Sequence, residues 1–274
     1  MSAIEKYELN NQMVWRGYLN KIKNSQHKNM PRFVVRPLNK TDAADMEKLS
    51  KVIYEHLGKG EECYIHKHDK SYYDNIFDDQ SMHYIGVFVG GELVGMSYVR
   101  VCENEKVFDC EIPNSPINFF AQNHKTKVAA LGADSVHPLY RGNGLNKIMI
   151  DCRIEYAQKL GCSDAFSIID RANHWNMTPY FSRGFNMFAT AVDPSDGGKI
   201  ALMHNDLKQR ECNYVLGIRV PYNRYELIDK MLTKDFVGNE YDADTGYIKF
   251  VPYSGYNKRN QKMMICKNNK YAGR

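Results

Sequence analysis

The chain has 274 residues, 43% hydrophobic and 25% charged, with a net charge of +5, a composition ordinary for a soluble globular protein of one large domain or a domain with appendages. Its apolar runs are broken by Gly or a charge within about ten residues, which excludes a membrane-spanning helix, and the opening MSAIEKYELNNQ has acids where a secretory signal would have an apolar stretch. The seven cysteines include no C-x-x-C pair and read as thiols of a reducing compartment, so a cytoplasmic location is expected.

In chain order, Trp15, Tyr18, Leu19 and Ile22 stand at helical spacing ahead of the polar stretch KNSQHKN, and predict a packing helix and a linker over residues 1–30. RFVVRPL (Arg32 to Leu38) is a short β run. Thr41 is the expected N-cap of the helix that follows, with Asp42 and Asp45 in its first turn and Met46, Leu49, Ile53 and Leu57 on its apolar face. HYIGVFVGGELVGMSYVRV is two strands around Gly90-Gly91, a pair that supplies the positive φ of a two-residue hairpin turn. Residues 103–126 read as a loop insertion, and Lys127–Val136 as another strand. The helix after the turn VHPLYRGNG carries an apolar stripe at Leu145, Ile148, Met149, Cys152, Tyr156 and Leu160. DAFSIID is a strand, a short helical piece leads to Gly184-Phe185, and FNMFATAV and KIALMHNDL are strands around Gly197-Gly198. From about residue 207 the pattern is strand (NYVLGIRV), helix (YNRYELIDKMLTKD) and strand (GYIKFVPY). The expected fold class is mixed α/β, in the α+β sense, with a mostly antiparallel sheet and flanking helices.

Residues 258–274 hold six Lys/Arg and no acid, which leaves the rest of the chain close to neutral. The charge is therefore that of a tail. It argues against nucleic acid as a partner of the folded part, although a basic tail can itself touch RNA, an acidic lipid or an acidic partner.

The turn at 136–146 calls for a physical reason. A helix N-terminus offers unpaired N–H groups and about half a positive charge. Glycines at 142 and 144 let the backbone approach an anion closely, and Arg141 adds a permanent cation. The turn is built for a phosphate. It lacks the Gly-Lys-Ser/Thr of a P-loop and the third glycine of a dinucleotide fingerprint.

Here the sequence resembles the Gcn5-related N-acetyltransferase (GNAT) superfamily. The hallmark Q/R-x-x-G-x-G/A aligns on Arg141, Gly142, Asn143, Gly144 and Leu145, with Asn146 where Gly or Ala is usual. Val136, Pro138, Arg141 and Gly142 follow the lead-in V-x-P-x-x-R-G, and Asn173, Tyr180, Gly184 and Phe185 stand at the spacing N-x6-Y-x3-G-F. The resemblance covers about residues 31–206, which makes 207–257 a C-terminal β-α-β extension and 258–274 a basic tail.

The resemblance implies a fold, a donor and a chemistry. The pyrophosphate of acetyl-CoA is expected on the backbone of Arg141, Gly142, Asn143, Gly144, Leu145 and Asn146, with the Asn146 amide able to donate to it. The pantetheine arm is expected along Asp134 and Val136, with Asn173 touching it. Acetyl transfer needs a neutral amine and a protonated leaving thiolate. The resemblance makes Tyr180 the acid, and an N–H near Val136 the donor to the thioester oxygen. The base is open. The strand positions where relatives often carry Glu or His are Ala130 and Gly132, and alternation places Asp134 on their face as the candidate. Glu103, Glu111 or a water relay are the alternatives. Pro179 fits a short helix with Thr178 as N-cap.

Cys63, His66, His68 and Asp69 are metal-ligand types, but one cluster without a partner pair predicts no metal site. By the resemblance this segment adjoins the acceptor. His137 reads as structural. The expected activity is transfer of acetyl from acetyl-CoA to a primary amine of a small or amino-acid-like molecule. A protein lysine or N-terminus, and a non-catalytic CoA-binding domain, are the alternatives. The sequence leaves the oligomeric state open, a homodimer included.

Overall fold

The structure, a computed structural model, describes residues 4–9, 12–20, 31–59, 61, 68–102, 127–193, 197–207, 217–234 and 236–252. The chain divides into two units, Met1–Val101 with Ala130–Leu160 and Cys102–Ala129 with Gly161–Arg274.

In the first unit, β1 (Glu5–Leu9), β2 (Gln12–Tyr18), β3 (Arg32–Pro37), β4 (Met82–Val89) and β5 (Glu92–Cys102) pair in sequence, each antiparallel to the next. β6 (Val128–Val136) follows β5 in the sheet. Gly90 and Gly91, at φ +59° and +87°, close the β4–β5 hairpin as expected. Helices α1 (Ala43–Glu55) and α2 (Lys70–Asn75) pack with Tyr84, Leu93 and Met96 in one core cluster. Helix α3 (Leu145–Lys159) packs in a second cluster with Phe33, Val35, Ile85 and Val87.

The helix predicted around Trp15 is a strand. Trp15 pairs with Val35 and Gly17 with Phe33 across β2 and β3. Trp15 and Leu19 are buried while Tyr18 is 49% exposed. A spacing of four fits both one turn of helix and two repeats of a strand, so this pair could not separate the two periods. Ile22, and the linker after it, lie outside the described residues. The cap of the first helix also differs. Asn39, not Thr41, accepts from the main chain, its Oδ1 receiving the Thr41 N–H at 2.9 Å, while Asp42 returns a bond to the Asn39 N–H at 2.9 Å. This capping box opens a single 3-10 turn before α1.

In the second unit, β7 (Asp164–Asp170), β8 (Asn186–Val192), β9 (Lys199–Asp206), β10 (Ile218–Pro221), β11 (Phe236–Asp242) and β12 (Tyr247–Pro252) stand in the order β7-β9-β8-β11-β12-β10. Their pairs are antiparallel. Helix α4 (Met177–Phe181) and helix α5 (Tyr225–Thr233) complete the unit. The extension expected as β-α-β thus has an additional strand, β11. Its FVGNEYD lacks a clean alternation because a register shift between Gly238 and Glu240 breaks the period. The strand reading of residues 213–216, the insertion at 103–126 and the basic tail fall outside the described residues. Among the described residues no helix is long and apolar enough to cross a membrane.

Candidate active site

Strand β6 ends in the turn that the sequence marked. His137 opens it, donating its N–H to the Val94 carbonyl at 2.8 Å and accepting the Leu139 N–H on Nδ1 at 3.2 Å. That bond leaves the ring proton of neutral His137 on Nε2, and burial holds its pKa below the ordinary value. Pro138–Tyr140 form one 3-10 turn, and Gly142 and Gly144 then take φ of +84° and +72° before α3 begins at Leu145. Two left-handed residues one apart turn the chain into the helix without a Cβ on the outer side. Gly142 and Arg141 are exposed, and Arg141 Nε donates to the Val136 carbonyl at 3.1 Å, which ties the cation to the strand end.

Asn143 points inward. It is 6% exposed, with Oδ1 accepting the Asn20 N–H at 2.9 Å and Nδ2 donating to the Tyr140 carbonyl at 2.9 Å. Only its main chain is available to a ligand of the turn. Asn146, in the first turn of α3, is half-buried.

Asp134 does not share a face with Gly132. Ala133 between them has φ +53°, which interrupts the two-residue alternation of β6. The position of a Cβ at Gly132 would fall 2.5 Å from the ring and hydroxyl of Tyr98, a residue packed with the α1–α2 cluster. Asp134 instead forms an ion pair with Arg153 of α3. Arg153 is wholly buried, and it also donates to the Gly132 carbonyl at 3.1 Å and from Nε to Met149 at 3.3 Å. One guanidinium therefore grips β6 on both sides of its kink. Sequence reading passed over Arg153; the available signal was a charge four residues after Met149 on the buried stripe. With this partner, Asp134 is the counter-charge of a buried guanidinium.

Around Tyr98 stands a group of phenols: its ring lies edge-on to Tyr84 at 5.9 Å, and the Tyr84 hydroxyl is 3.3 Å from that of Tyr72. His68 stacks on Tyr72 at 3.6 Å, and Asp69 accepts the Tyr72 N–H at 3.0 Å as the cap of α2. Asp69 is thus occupied by the helix; Cys63 and His66 lie outside the described residues. Cys152 is buried on α3, and burial pushes its thiol well up, which removes it as a nucleophile.

The second unit carries Asn173 and Tyr180. Asn173 is half-buried, its N–H bound to the Asp170 carbonyl at 3.0 Å, and precedes a 3-10 turn, His174–Asn176. Helix α4 starts at Met177, so Thr178 is not its cap, and Pro179 sits inside the first turn, where its missing N–H has no helical partner to lose. Tyr180 is fully buried, edge-on to Phe185 at 5.0 Å, ahead of Gly184 at φ +80°.

The first unit offers a glycine turn with a fixed cation at a helix start and a kinked strand leading into it; the second unit holds a buried tyrosine. The model of the acetyltransferase (GNAT) family matches residues 47–185. Solved structures of similar shape include an N-acetyltransferase from Staphylococcus aureus Mu50 (11% identity, 65% of this chain and 99% of that one, TM-score 0.49). Arabidopsis thaliana NAA60 in complex with acetyl-CoA (14%, 63% and 97%, TM-score 0.47) is another. So is the ribosomal-protein-S18-alanine N-acetyltransferase of Escherichia coli (12%, 67% and 99%, TM-score 0.45). No curated protein sequence matches. The family match spans just over half of the 274 residues, from α1 through the glycine turn to Phe185, and the chain belongs to the GNAT acetyltransferase family, enzymes that draw their acetyl group from acetyl-CoA.

Proposed function

We propose that this acetyltransferase moves the acetyl group of acetyl-CoA to the primary amine of a small or amino-acid-like molecule, in the cytoplasm. The observation that carries the reading is the turn at 141–146, where Gly142 and Gly144 are left-handed and the anchored Arg141 is exposed beside the start of α3. Its main-chain N–H groups and the helix dipole suit a diphosphate. Asn173 and the strand end at Val136 are the contacts assigned to the pantetheine arm. Acetyl-CoA supplies an activated thioester. The chain's part is to hold it, exclude water and manage two protons. Tyr180 is the assigned proton donor to the leaving sulfur. With Asp134 committed to Arg153, deprotonation of the amine is assigned to water.

One observation favours a second reading, a CoA-binding domain without turnover: the candidate base is held in an ion pair. Thiol release measured over amines, amino acids, aminoglycosides and peptides separates the two. Turnover of a small amine supports the first reading; tight acetyl-CoA binding with no turnover on any acceptor supports the second. In the active enzyme Tyr180→Phe lowers kcat by about a hundredfold with little change in KM. Unchanged kcat removes Tyr180 from the mechanism.

A further inference from the structure

Residues 4–9 and 12–20 lie outside the segment that the family model matches, yet Asn20 at their end bonds the turn on which the donor reading depends. We infer that the N-terminal hairpin is a working part of the acetyl-CoA site: the main chain of Asn20 locks Asn143, and Asn143 positions the diphosphate-binding turn. The inference rests on the proposed reading of that turn.

Asn143 stands between Gly142 and Gly144, the two residues of the turn with most conformational freedom. A loop of this kind presents its N–H groups to an anion only if something fixes it beforehand, since any ordering deferred to binding is subtracted from affinity. The Asn143 amide does the fixing. Both its ends are used, Nδ2 on the Tyr140 carbonyl at the start of the turn and Oδ1 on the Asn20 N–H, and the side chain is 6% exposed. The first bond is local. The second spans 123 residues and anchors the turn to the sheet.

The anchor is itself secured. Leu19 donates its N–H to the Pro31 carbonyl at 2.9 Å, just beyond the β2–β3 pairing. Trp15 and Leu19, 2% and 1% exposed, share a core cluster with Leu145, Ile148, Met149 and Cys152. At the other end of α3, Lys6 of β1 pairs with Glu155. The hairpin therefore meets α3 at its first turns and again near its end, and reaches the glycine turn from its inner side.

Asn20→Pro removes the N–H donor without touching the turn, and Asn143→Ala removes the amide from the other side. The readout is the ratio of dissociation constants for S-acetylpantetheine, which lacks the diphosphate, and acetyl-CoA, measured by titration of the full-length chain. Both variants are expected to cut this ratio about tenfold, the effect of one lost buried hydrogen bond on the diphosphate contacts alone. An unchanged ratio in either folded variant overturns the inference, whether the two affinities fall together or not at all. If the unmodified chain binds both compounds equally, the diphosphate reading of the turn itself has failed. Melting curves identify any variant that does not fold, and the other variant then decides.

Discussion

Asp134 of β6 balances the charge of Arg153 on α3. A carboxylate beside a wholly buried guanidinium is held there by electrostatics, because removing one partner leaves an uncompensated charge in a poorly solvating interior. Asp134→Ala should therefore destabilise the chain by about 3–5 kcal/mol in urea unfolding, and the double variant Asp134→Ala/Arg153→Met should recover much of that loss. A base with no structural duty gives the opposite result, full stability with lost turnover. Gly144 makes a second test at this scale. An alanine at φ +72° is strained by about 1–2 kcal/mol, which favours a shift of the turn away from the conformation that presents its N–H groups. Gly144→Ala should weaken acetyl-CoA at least tenfold by calorimetry; unaltered affinity would mean that the donor does not approach there.

Among the elements, β2 and α3 determine how the turn is supported. Trp15 is a large side chain that is 2% exposed and packs with the first turns of α3. Trp15→Ala should cost about 3–5 kcal/mol in denaturant unfolding. It should also loosen the start of α3, seen as faster amide exchange at Ile148 and Met149, whereas exchange that changes only within β1 and β2 would show that hairpin and helix are independent. In the second unit, α5 is fastened to the end of β7 by Arg171, which is 2% exposed, donates to Asp229 at 2.9 Å and lies 4.2 Å over the Tyr225 ring. Asp229 also accepts from the Thr190 hydroxyl at 2.8 Å, so one carboxylate joins the helix to both β7 and β8. The C-terminal extension is in this way built into the second unit.

For the whole molecule the pH dependence of stability follows from groups in both units. Burial holds His83, His137 and His174 below the ordinary histidine value of 6.5. The unfolded chain takes up these protons as pH falls through that value while the folded chain does not, so their contribution is complete above about pH 6.5 and is lost below it. Asp42 adds a second window. Burial alone would raise its carboxyl, but the Arg36 guanidinium, at 2.9 and 2.8 Å, and the Asn39 N–H outweigh that and lower it below 3.8. Its contribution is present above the ordinary value and disappears as pH falls through the folded one. The urea midpoint should be flat near neutrality, decline below about pH 6.5 and decline again below about pH 4. A midpoint that rises between pH 7 and 5.5 contradicts this assignment.

What the sequence determined by itself was what short-range chemistry fixes. The Gly90-Gly91 hairpin, the β runs of β3 and β4, the apolar stripe of α3 and the glycine turn after β6 each depend on residues within a few positions of one another, as does the motif that led to the family. The tertiary structure decided the rest. Trp15 and Leu19 fit two periods, and only pairing with β3 selects the strand. Asp134 was assigned a face by alternation, and a single left-handed residue at Ala133, clamped by Arg153 from another element, reversed it. The support of the turn by Asn20 is a bond between residues 123 apart, formed because the fold brings two distant backbone segments to one buried amide. Periodicity records which side of an element is buried; it carries no information about which distant group waits there.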